Sequence, residues 1–151
     1  MSFVGALTAL DTHLVAAGAA ISPTITNVAQ GERSGLSRRI DYWFTSIGEP
    51  SRFPSRETLS DAMFGVELLV RVYFPVADRR ETLNANLEAD LYAVSIDIVS
   101  RVLGDYTLGG ECVALRWEQV STGWQEVGGG WNRISDTTFT LDFVEQITLA
   151  P

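Results

Sequence analysis

The sequence predicts an α+β fold: a largely antiparallel or mixed β-sheet of about five strands with two α-helices packed on one face. Three observations carry this reading. Two segments, residues 3–21 and 83–102, repeat apolar residues at helical spacing. Several others alternate polar and apolar residues at the two-residue period of a strand. The later strand candidates are joined by short connections, which favour antiparallel pairing. Each helix has one apolar stripe and each strand one apolar row, so two helices laid over the same sheet face bury them all.

The N-terminal helix comes first. Phe3, Leu7, Leu10, Leu14, Ala17 and Ile21 recur at steps of 4, 3, 4, 3 and 4 and share one face. Ser2 is placed to cap its start, and Gly18, then Pro23, to end it. Thr8, Asp11 and Thr12 mark the solvated side. Residues 24–37 are mixed and punctuated by Gly31 and Gly35, with a short strand expected over residues 25–28. Residues 39–45 then alternate. Ile40, Tyr42 and Phe44 fall on one face and Arg39, Asp41 and Trp43 on the other, as in a half-buried strand. Residues 48–56 contain Pro50 and Pro54, show no period and read as an exposed loop.

The clearest strand spans residues 64–74. Phe64, Val66, Leu68, Val70, Val72 and Phe74 form an unbroken apolar row, with Glu67, Arg71 and Tyr73 on the other face. Pro75, which has no N–H, is expected to stop the ladder. Asp78-Arg79-Arg80-Glu81 has the form of a capping box with Asp in place of Ser or Thr. It opens the second helix, where Leu83, Leu87, Leu91, Val94, Ile98 and Val102 recur at steps of 4, 4, 3, 4 and 4, and Gly104 is its stop. After the turn Leu108-Gly109-Gly110, three more strands are expected over residues 112–120, 124–127 and 137–147. Val113, Leu115 and Trp117 oppose Arg116 and Glu118 in the first. Phe139, Leu141, Phe143 and Ile147 oppose Thr138, Thr140, Asp142 and Gln146 in the last.

The 151 residues suit one domain over residues 1–151, large enough to hold a core without disulfides or metals. A hydrophobic share of 46% and a charged share of 20% fit a globular protein and argue against overall disorder. All 11 basic residues are Arg, set against 19 acids, for a net charge of −8. That balance lacks the basic footprint of a nucleic-acid-binding protein. The absence of Lys excludes a P-loop lysine, a Schiff-base lysine and a Ser–Lys dyad. A single Cys excludes an intrachain disulfide, and with a single His it leaves too few soft ligands for a zinc site. Residues 3–21 are interrupted by Asp11 and His13 and follow no basic region, so they read as neither a signal peptide nor a membrane span. Cytoplasm is the expected compartment.

No residue stands out for catalysis. His13 lies mid-helix beside Asp11, without the nucleophile and orienting acid that a general base needs, and reads as a surface residue. Cys112 follows Glu111 and reads as a small core hydrophobe. Gly128-Gly129-Gly130 lies between strand candidates, whereas a phosphate cradle opens a helix, so it reads as a hairpin or flexible loop. The pairs Glu88/Asp90 and Glu118/Glu126 lack the companions of a metal or hydrolase site. The expectation is therefore no catalytic residue, no cofactor and no metal.

Arg and Trp are more telling. Trp43, Trp117, Trp124 and Trp131 are many for this length, and Arg38, Arg39, Arg71 and Arg116 sit on or beside strands. Trp, Tyr and Arg dominate interface hot spots. The sheet face away from the helices, with Trp43, Arg71, Tyr73 and Arg116, is neither a second core nor a plain solvent face, which suggests a partner. The expected interface comprises Arg39, Asp41, Trp43, Arg71, Tyr73 and Arg116 on strands. Arg52 and Arg56 in the Pro-bearing loop and Trp124 and Trp131 flanking the glycines complete it.

The chain as a whole has a familiar order. An amphipathic helix precedes the aromatic strand Arg39-Ile40-Asp41-Tyr42-Trp43-Phe44 and a Pro-bearing loop. The long row ending in Val70-Arg71-Val72-Tyr73-Phe74-Pro75 follows, then a capped helix and the closing strand Phe139-Thr140-Leu141-Asp142-Phe143-Val144. In element order and length this resembles the tail terminator proteins of long-tailed, non-contractile bacteriophages. The resemblance implies a non-enzymatic virion protein that forms a homohexameric ring on the last ring of the tail tube protein, stops tube growth and offers a docking surface to the head–tail connector. DNA is implied only as cargo passing through the lumen, and no membrane is involved. Another neck or head–tail joining component fits the same features. So does, from a different class, a small-molecule-binding domain or enzyme on the same scaffold. The loops at residues 48–57 and 123–131 are expected to order against tube or connector.

Overall fold

A computed structural model of the chain describes residues 2–48, 59–76 and 85–148. The elements run α1 (Phe3–Ala20), β1 (Val28–Gln30), β2 (Arg39–Ile47), β3 (Leu59–Val76), α2 (Ala85–Leu103), β4 (Ala114–Val127) and β5 (Gly130–Thr148). The architecture is α+β, with a five-stranded sheet in the order β1-β2-β3-β5-β4. β1 pairs parallel to β2; every other neighbouring pair is antiparallel. β3 and β4 therefore run the same way with β5 inserted between them, and α2 makes the crossover that such a pair needs.

β3 and β5 form the spine. All 18 residues of β3 pair with β5 without a shift, from Leu59↔Thr148 to Val76↔Trp131. At ~3.4 Å per residue this ladder is roughly 60 Å long, well beyond an ordinary strand. Its alternation directs Val66, Leu68, Val70, Val72 and Phe74 to one face, with Phe139 and Leu141 of β5 beside them. Both helices cover that face. Leu7, Leu10 and Leu14 of α1 and Leu91, Val94, Ile98 and Val102 of α2 join the same buried cluster. α1 is long and apolar enough to cross a membrane by composition alone, but its apolar stripe is committed to this core.

The helix ends are tied by local chemistry. The Ser2 Oγ accepts from the Gly5 N–H at 2.9 Å, as an N-cap should, and the Glu111 carboxylate accepts from the Ser2 N–H at 2.7 Å. A carboxylate in that place also complements the positive end of the helix dipole. His13 is not a free surface residue. Its Nε2 lies 2.8 Å from an Asp105 carboxylate oxygen in the turn after α2, so the pair links α1 to that turn. The Gly109 N–H donates to the other oxygen at 2.9 Å. The hydrogen bond from His13, and then that from Gly109, hold the Asp105 carboxyl below its ordinary value. Cys112 is buried, as its sequence setting implies. Burial, followed by Asp142 and Asp105, pushes its thiol up to about 11.

Four sequence expectations change. The first short strand lies at Val28–Gln30 and not at 25–28, because Ile25 is drawn into the core, its N–H donating to the Gly18 carbonyl at 2.9 Å. Pro75 does not stop β3: it pairs with Asn132 of β5. β2 has already ended its pairing at Tyr73, so Pro75 occupies an edge position, where a missing donor is tolerated. The three late strands are two, since β4 continues through Ser121, Thr122 and Gly123. The expected loop over residues 123–131 is therefore ladder, except for the two-residue turn at Gly128 and Gly129. Their φ values of 52° and 87° suit a type I′ hairpin. The Asp78–Glu81 capping box, Leu83 and nearly all of the 48–57 loop lie outside the described residues.

Two outcomes follow. A Cβ at Gly18 would run into the Ile25 carbonyl oxygen, so Gly18→Ala should cost about 1–3 kcal/mol in urea unfolding. Asp105, with its pKa depressed in the fold, adds stability that is complete above its ordinary value of 3.8 and is lost as the pH falls through the folded value. Asp105→Asn should lower Tm at neutral pH and flatten its decline below that point, as read by thermal melts across pH.

Candidate assembly surfaces

The second sheet face divides into a sealed part and an open part. After β1 the chain at residues 31–38 turns across this face, and Arg39 and Asp41 are buried beneath it. Arg39 donates through Nη1 to the Gly35 carbonyl at 2.9 Å and the Ser37 hydroxyl at 2.8 Å, and through Nη2 to the Arg33 carbonyl at 2.6 Å. Its Nε reaches Asp41 at 3.2 Å, and its guanidinium lies 3.7 Å from the centre of the Tyr73 ring. Asp41 also accepts from the Arg33 backbone N–H at 3.0 Å and from its Nε at 2.7 Å. Tyr73 is fully buried, and burial raises its pKa. Arg39, Asp41 and Tyr73, expected at an interface, thus hold the subunit's own chain and offer no surface.

The neighbouring expected residues are graded in exposure. Arg71 donates to Asp136 at 2.6 and 2.9 Å and approaches Glu32 at 3.5 Å. The Asp136 hydrogen bonds raise its pKa further, so it stays cationic. Its guanidinium lies 5.4 Å from the centre of the half-buried Trp43 ring. Arg116 is exposed, 3.2 Å from Asp142, over an open polar depression shared with Glu67, Thr140 and Gly65. Trp124 and Trp131 belong to the other, helix-covered face, since their register partners Arg133 and Val76 are in phase with the core row. They meet edge to face at 6.4 Å between centres, and Arg133 lies over Trp124 at 4.9 Å while donating to Glu88 at 2.8 and 3.1 Å. The Arg133 hydrogen bond holds Glu88 below its ordinary value, so Glu88 is an ion-pair residue and not half of a carboxylate pair. Arg52 and Arg56 lie outside the described residues.

Exposed apolar side chains occur on α1 (Val4, Val15) and after α2 (Tyr106), and a further set lies at the two sheet edges. On β2, Phe44 is 50% exposed and Ile47 61%. Phe3, the first residue of α1, meets Phe44 edge to face at 5.8 Å, and the helix runs from there over Tyr42, whose hydroxyl donates to Asp11 at 2.9 Å. Phe3, Phe44, Ile47, Phe64, Val66 and Phe143 bound an open apolar depression at this end. At the opposite edge Trp117 of β4 is 43% exposed, and Tyr92 and Ile96 of α2, at 70% and 40%, wall a groove beside it. The sequence did carry a trace of this second patch: Tyr92 and Ile96 stand four apart, off the core stripe of α2. Phe44 carried none, since it continues the core row of Ile40 and Tyr42.

Among the described residues no group of three or more His, Cys, Asp or Glu is placed to hold a metal. Comparison with protein-family models and with curated proteins finds no match to this chain.

The two charge settings predict different mutant outcomes. Asp41→Asn strands Arg39 as an uncompensated buried charge and should cost about 3–5 kcal/mol of unfolding free energy. Arg116→Gln removes an exposed ion pair and should change stability by less than about 1 kcal/mol. Paired urea titrations at one ionic strength read both.

Proposed function

We propose that this chain is a structural subunit that assembles head to tail into a closed ring, in the role of a tail terminator of a long non-contractile phage tail. One observation supports this best: a single sheet exposes apolar side chains at both of its edges, and the two edge surfaces differ. Phe44 and Ile47 stand at one edge, and Trp117, Tyr92 and Ile96 at the other. A two-fold dimer joins one patch to itself, whereas a ring joins two unlike patches on each subunit. Large apolar residues at the surface mark association sites when they cluster in this way. The net charge of −8 suits a ring that lets nucleic acid pass without adsorbing it, since like charges repel. The element order that resembles tail terminators supplies the specific role: capping the last tube ring and presenting a platform to the head–tail connector.

The test is native mass measurement together with negative-stain imaging, with and without tail tubes. The expected result is a hexameric ring bound at one end of each tube and tubes that no longer lengthen. A strict monomer in both conditions would overturn the reading. Binding to connector and not to tube would reassign the chain to another part of the neck.

A further inference from the structure

The exposed residues at the two edges belong to one transverse row of the sheet. Phe44 of β2 pairs with Leu68 of β3, Leu68 with Phe139 of β5, and Phe139 with Trp117 of β4. All four side chains lie on the helix-covered face. Leu68 and Phe139 are fully buried, whereas Phe44 and Trp117 are each about half exposed. The core row thus crosses the full width of the sheet and emerges at both ends.

The strand directions matter equally. β2, β3, β5 and β4 alternate in direction, so β2 and β4 run opposite ways. A second copy brought edge to edge, without being turned over, lays its β2 antiparallel to the first copy's β4. Both helix layers then lie on the same side. Among the described residues β4 pairs only with β5, and β1 accompanies β2 only from Ile40 to Tyr42, leaving residues 43–47 open on that side. The rows of Tyr42 and Ile40 reach β4 at Val120 and Thr122. The neighbour's β1 therefore limits contact to the Ala114–Gln119 part of β4. Both segments carry an irregularity beside the residues that would meet, between Trp117 and Gln119 in β4 and between Phe44 and Ser46 in β2.

We infer that the subunit contact is a second copy of this chain seated edge to edge, with Phe44 of one copy packed against Trp117 of the next, in the groove walled by Tyr92 and Ile96. Because the two residues share a row, the match requires no displacement along the strands from copy to copy. A contact that repeats without a rise along the ring axis can close, whereas a steady axial rise would generate a filament. The inference rests on the ring reading above and adds the surfaces, the register and the orientation.

Disulfide trapping tests it, in the full chain with Cys112→Ser. Directly opposed residues on adjacent antiparallel strands come within disulfide range. Oxidising a mixture of Phe44→Cys and Trp117→Cys proteins should give interchain dimers, while neither variant alone should give any. The double variant should give a ladder of oligomers. Phe44→Glu and Trp117→Glu should weaken association about tenfold or more with an unchanged circular dichroism spectrum. A ring by native mass whose mixed variants do not cross-link overturns this contact and leaves the ring reading standing. Self-cross-linking of either single variant replaces it with a two-fold contact. A monomer under all conditions overturns both.

Discussion

The register of β3 against β5 governs the rest of this molecule. Side chains alternate along a strand, so a slip by one residue would exchange the two faces of the sheet. Every apolar row, both helix seats and the buried charges on the other face presuppose that alignment. The pairing is fixed on one side by the row Val66, Leu68, Val70 and Val72 under the helices. On the other side the Arg71–Asp136 ion pair joins directly opposed residues of the same two strands. The tight Gly128–Gly129 turn then brings β4 alongside β5.

The second face shows how a chain can seal a surface without a second hydrophobic core. Arg39 and Asp41 are placed by strand alternation where no helix reaches them. Charges so placed are costly unless paired and fully hydrogen-bonded. Residues 33–37 meet that requirement with backbone carbonyls, a hydroxyl and the Arg33 side chain. The carbonyls of Arg33 and Gly35 gain a cationic donor in return. Arg suits this position better than Lys, because a planar guanidinium can stack on Tyr73 and serve several acceptors at once.

The legible parts of the fold were those written in local periodicity. Helical steps from Leu7 to Leu14 and from Leu91 to Val102, and the two-residue period from Phe64 to Phe74, identified the helices, the long strand and the shared core face. The parts that were not legible depend on what lies next door. Whether Pro75 ends a strand depends on whether its N–H side has a neighbour. Ser121-Thr122-Gly123 has turn composition, yet pairing with Ile134 and its neighbours keeps it extended. Arg39 and Trp43 share a strand face and differ in burial only because residues 31–38 cross above the first. Phe44 and Trp117 fall in apolar rows, and their exposure follows from strand order, which no local pattern encodes.

Among the described residues β4 pairs on one side only, and the other side has a cost for the newly made chain. A bare row of backbone donors and acceptors accepts any extended polypeptide, so such a strand can seed precipitation. Arg116, Glu118 and Glu126 place charge along it, and the Trp117–Gln119 irregularity distorts it, which are two recognised defences against indiscriminate pairing. The longer such an edge stays uncovered, the more an extended neighbouring chain competes for it.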